Sequence, residues 1–95
     1  MKTIHKYGME ISIRYEQEIQ IPVNAKVLSV QIQDHGGVGG RQLCMWALVD
    51  TELDYVVRRF RVFGTGHKVD TKHAYKHLAT VQDGGFVWHV FEVIG

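Results

Sequence analysis

The residues best suited to chemistry in this 95-residue chain lie between Arg58 and Lys68. Gly64-Thr65-Gly66-His67-Lys68 directly follows Tyr55–Phe63, a run that carries Arg58, Arg59 and Arg61. Glycine at 64 and 66 lets the backbone approach a ligand, and successive amides in such a turn form an anion-binding concavity. Arg59, Arg61, His67 and Lys68 would add positive charge to it. The chemistry on offer is anion binding, with Gly64, Thr65 and Gly66 as the backbone cradle. A glycine-rich turn bearing exposed basic residues accounts for the same segment without a ligand. The GxxxxGK[ST] spacing of a P-loop is absent, and no long helix follows.

Other candidates are weaker. In the segment 35–40, HGGVGG, His35 and the following Arg41 read either as ligand contacts of a mobile lid or as parts of a long hairpin connection. His73 and His77 would share one face of a helical turn, but no cysteine pair or nearby glutamate completes a ligand set, so no metal and no cofactor are expected. His89 falls in an apolar run, where a hydrogen-bonded core or interface role is the usual one. Cys44 sits between Leu43 and Met45, and apolar surroundings make a thiol inert. Ser12 and Ser29 lie on polar strand faces without an elbow motif, and no carboxylate pair stands out. The expectation is a protein that binds and does not catalyse. Arg58, Arg59, Arg61, Lys68, Lys72 and Lys76, interleaved with Tyr55, Phe60, Phe63 and Tyr75, also fit weak binding of single-stranded nucleic acid.

These residues must be positioned by strands. Lys76–Ile94 reads as a hairpin in which two apolar-rich runs flank Asp83-Gly84-Gly85, a strong tight-turn signal. Its second run is apolar on both faces: Phe86, Trp88, Val90 and Ile94 against Val87, His89, Phe91 and Val93. Leu43–Val49 has the same character, so both runs belong near the middle of the sheet system. Val27–Asp34 is a one-sided strand, and Met9–Pro22 reads as one or two half-exposed strands. Residues 70–77 allow at most one short helical turn, capped by Asp70 or Thr71. The expected fold is all-β, a compact antiparallel sandwich or partly closed barrel of six to eight short strands, in a single domain spanning residues 1–95.

Composition narrows the partners. The formal net charge is +1, so no global field steers the chain toward nucleic acid or an anionic membrane. No apolar run approaches a membrane span, and the N-terminal residues lack a signal peptide's apolar centre. A single cysteine excludes an intrachain disulfide and suits a reducing compartment. Two doubly apolar strands in so small a chain predict a homo-oligomer.

Five blocks taken in order, IHKY, I-x-I-P-x-x-A-K-V-L-S-V, L-C-x-W-A-L-V-D, R-x-F-R-V-x-G-T-G-H and T-V-Q-x-G-G-F-V-W-H-V-F-E, resemble a family of small uncharacterised phage and prophage proteins. That family has no assigned activity, so no residue role carries over. The resemblance implies a small accessory protein acting in a bacterial cytoplasm, by binding. The leading expectation is a counter-defence protein that holds a phosphorylated ligand such as a signalling nucleotide at Arg59, Arg61 and 64–68, with an aromatic such as Tyr55 or Phe63 stacked on the base. The alternatives are a protein-binding inhibitor of a host defence factor or a virion-associated module, and the single-strand binder described above.

Overall fold

The computed structural model describes residues 1–34, 36 and 40–95. It is all-β. Seven strands, β1 (Lys2–Met9), β2 (Gln17–Pro22), β3 (Lys26–Asp34), β4 (Arg41–Asp50), β5 (Tyr55–Gly64), β6 (Tyr75–Asp83) and β7 (Phe86–Val93), form two antiparallel sheets. The first sheet has the order β1-β4-β3 and the second β2-β5-β7-β6. The shortest dimension is 17 Å, about the depth of two sheets packed face to face. No helix is present among the described residues, so none is long and apolar enough to cross a membrane.

The two doubly apolar runs, β4 and β7, occupy interior positions in their sheets. Alternation along them sorts the faces. Leu43, Met45, Ala47 and Val49 of β4 meet Phe60, Val62 and Val90 from the second sheet in one core, joined by Ile21. The β6–β7 hairpin forms as the sequence predicts, closed by Gly84-Gly85, with positive φ only at the first of these. That pattern belongs to the type II′ turns favoured between twisted strands.

Two segments differ from expectation. The alternation at Met9, Ile11, Ile13 and Tyr15 does not continue a strand; β1 ends at Met9, and Glu10–Glu16 is a crossover carrying the chain to the second sheet. Its ends are fastened by Gln17, whose amide side chain exchanges hydrogen bonds with the backbone of Glu10. Residues 70–77 contain no helical turn. The Asp70 carboxylate accepts the Lys72 amide at 2.7 Å, a local bond that favours a turn over a helix, and Tyr75 already begins β6.

The far face of β7 carries an aromatic cluster. There Phe63, Tyr75 and Phe91 form a triangle of edge-on rings, with centroids 5.7 to 6.1 Å apart. The crossover is anchored beside them, since the Ile13 carbonyl accepts a hydrogen bond from Arg61 and Glu16 approaches Arg59 and His73. Phe63 is only 3% exposed, with the Arg61 guanidinium 4.8 Å from its ring centroid.

Candidate ligand-binding cleft

Alternation along β5 sends Phe60 and Val62 into the core and Arg59, Arg61 and Phe63 to the outer face of the second sheet. Neither outward arginine is free. Arg59 Nη1 lies 3.4 Å from the Glu16 carboxylate, and Arg61 Nη2 donates to the Ile13 carbonyl at 3.0 Å while its guanidinium covers the Phe63 ring. Acidic and basic residues are thus mixed on this face. Arg41 pairs with Asp83, and Asp83 also accepts the Trp88 indole N–H at 3.2 Å. His35 lies outside the described residues.

The turn itself is better placed. Gly64, Thr65 and His67 line a cleft of about 370 Å³ whose opposite wall is the start of β7, from Gly85 to Trp88. Gly66, at the apex, has φ +85°, which side chains other than glycine rarely adopt. The imidazole of His67 folds back over Gly64 and accepts its amide proton at Nδ1, at 3.1 Å. Only glycine permits this approach, since a Cβ at position 64 would fall 2.6 Å from the ring. Lys68 points to a neighbouring depression, which it lines together with Lys72. Of the seven residues predicted around this turn, Gly64, Thr65 and His67 share the cleft, Gly66 forms the apex outside its lining, Lys68 lines the separate depression, and the two arginines are held elsewhere.

Sequence reasoning assigned Phe86 and Trp88 to one strand face but not to a site. Their rings stack at 5.6 Å with an interplanar angle of 12°, and Phe86 remains 65% exposed. Trp88 packs against the core on its other side. An exposed aromatic locked onto a second one beside glycine-turn amides is a ready platform for a planar ring. The only signal for it was position, the first residue after the Gly84-Gly85 turn.

A hydrogen-bonded chain runs from the turn across the outer face of the second sheet. Thr65 Oγ1 meets His89 Nε2 at 2.8 Å, His89 Nδ1 meets Thr80 Oγ1 at 3.1 Å, and Thr80 Oγ1 meets His77 Nε2 at 2.9 Å. Both imidazoles are used in holding hydroxyls, and among the described residues no third ligand gathers with them to form a metal site. Cys44 is fully buried on β4. Its thiol meets Gln33 and Gln42, polar neighbours and not the apolar surroundings expected from the sequence.

A family model described as a domain of unknown function (DUF7352) matches residues 1–95. No curated protein and no solved structure matches the chain.

Proposed function

We propose, for a chain that belongs to the DUF7352 family over residues 1–95, that it is a non-enzymatic binding protein for a phosphorylated ligand with a planar base. The observation that carries this reading is the exposed Phe86–Trp88 stack facing the 64–67 turn. The base would lie on Phe86, and the phosphates would extend toward the Thr65 and Gly66 amides, Lys68 and Lys72. A signalling nucleotide has both parts. The sequence resemblance to phage and prophage proteins supports a counter-defence role, in which the ligand is held and not consumed in a bacterial cytoplasm.

Calorimetry against a panel of mono-, di- and cyclic nucleotides, with product analysis after incubation, tests the proposal. Phe86→Ala is expected to weaken binding by about 1–3 kcal/mol, roughly fivefold to 150-fold, through loss of one stacking face. The fold should be unaffected because the ring is largely exposed. Recovery of a cleaved nucleotide would replace the binding reading with an enzymatic one, and unchanged affinity in Phe86→Ala would move the site elsewhere.

A second reading, self-association, is favoured by the outer face of the first sheet. Ile4 pairs across the ladder with Leu48 and Lys6 with Trp46, and Ile4 is 57% exposed there. Sedimentation should give a species heavier than the 10.9 kDa chain, and Ile4→Lys should shift it to the monomer. A single 10.9 kDa species at every concentration rejects this reading.

A further inference from the structure

We infer that the notch between β3 and β6 is a second binding site, built for a small doubly charged oxyanion of the phosphate class. Three observations converge on it. First, β3 and β6 are the edge strands that approach each other where the sheets fail to join, and each carries a bulge at the same level. Leu28 is the extra residue of β3, between Val27 and Ser29; Leu78 is that of β6, between His77 and Ala79. Both leucines line a notch of about 350 Å³, at the lower end of the range for small-molecule sites. Bulges at sheet edges recur beside functional sites because they re-aim side chains and interrupt pairing.

Second, the notch is lined by a pre-oriented guanidinium. Arg58 gives its Nε–H and one Nη2–H to the two oxygens of Glu92, both at 2.6 Å, and one Nη1–H to the Ala25 carbonyl at 2.6 Å. A guanidinium has five N–H donors, so two remain. The Glu92 hydrogen bonds hold its pKa above the ordinary value, against the opposing effect of burial. A partly buried ion pair is a weak source of stability compared with apolar packing, which makes its position beside a cavity informative.

Third, the charges do not cancel. The Glu92 carboxylate is taken up by Arg58, whereas Lys26 and Lys76 line opposite walls and form no ion pair among the described residues. Lys76 stands across the ladder from Glu92 without pairing to it. Two uncompensated ammonium groups flanking two spare guanidinium donors match a dianion, with Leu28 and Leu78 left to contact a small organic substituent. The site is independent of the aromatic cleft, since Arg58 and Gly64 are six residues apart on β5, about 20 Å.

Inorganic phosphate titrated into the full chain at fixed ionic strength, followed by amide NMR, tests the assignment. Saturable shifts are expected at 26–29, 76–78 and Glu92. Lys26→Ala and Lys76→Ala, both at exposed positions, should each weaken binding about tenfold with the rest of the spectrum unchanged. Phe86→Ala should leave phosphate binding as it was, even if nucleotide binding at the aromatic cleft proves absent. Shifts that never saturate, shifts shared equally with Lys2, Lys6, Lys68 and Lys72, or indifference to both lysine substitutions would overturn the site. So would loss of phosphate binding in Phe86→Ala.

Discussion

Replacing Phe60 with alanine is expected to destabilise the fold by about 3–5 kcal/mol, the usual range for truncating a buried phenylalanine. The ring is fully enclosed and is the largest side chain to be so among the described residues. It sits on a strand fixed from both sides, with Gln17 of β2 and Glu92 of β7 as its ladder neighbours. The surrounding backbone therefore has little room to collapse into the vacated space. A domain of this size has roughly 5–15 kcal/mol of stability, so the midpoint of thermal unfolding should fall by on the order of 20 °C. Val57→Ala, on the same strand but half exposed, should stay within about 0.5 kcal/mol. Urea titration of the two variants side by side checks the contrast. A loss below about 1 kcal/mol for Phe60→Ala would mean that the two sheets do not enclose this ring.

The second large effect is expected at Arg58. Arg58→Ala leaves the Glu92 carboxylate, whose side chain is 11% exposed, without its counter-charge and the Ala25 carbonyl without its donor. Breaking one side of a buried pair costs about 3–5 kcal/mol, and the partial exposure of Arg58 places this case near the lower end. The informative comparison is the double variant Arg58→Met with Glu92→Met. It removes both charges, fills a similar volume, and should recover most of the loss. If the double variant is as unstable as Arg58→Ala, the damage comes from packing and not from an unpaired carboxylate. Equilibrium unfolding of the single and double variants separates the two causes.

Much of this architecture was legible in the sequence for local reasons. The short, doubly apolar run over 43–49 and the Asp83-Gly84-Gly85 turn marked a strand and a hairpin through forces acting between near neighbours. The opposite directions of Arg58 and Arg59 were readable from period two alone. What Arg58 would meet was not, because Glu92 lies 34 residues away and is brought close only by the β5–β7 ladder. The crossover misled for a related reason. Ile11, Ile13 and Tyr15 alternate as a strand does, yet the chain bends at 13–15 and all three side chains stay exposed, so the pattern had no buried face behind it. Phe86 carried no local mark, since an aromatic that begins a strand is more often interior than displayed.

The pairing scheme has a consequence for how the chain acquires its shape on the ribosome. The first two strands to emerge, β1 and β2, have no partner near them in sequence: Lys2 waits for Asp50, and Gln17 for Phe60. The β3–β4 and β6–β7 ribbons need only short closures, so they are the natural nuclei, while β1 and β2 must wait for β4 and β5 to be made. Until then the nascent N-terminal third is an extended stretch with unsatisfied amides, the part of the molecule most exposed to chaperones and to misassembly.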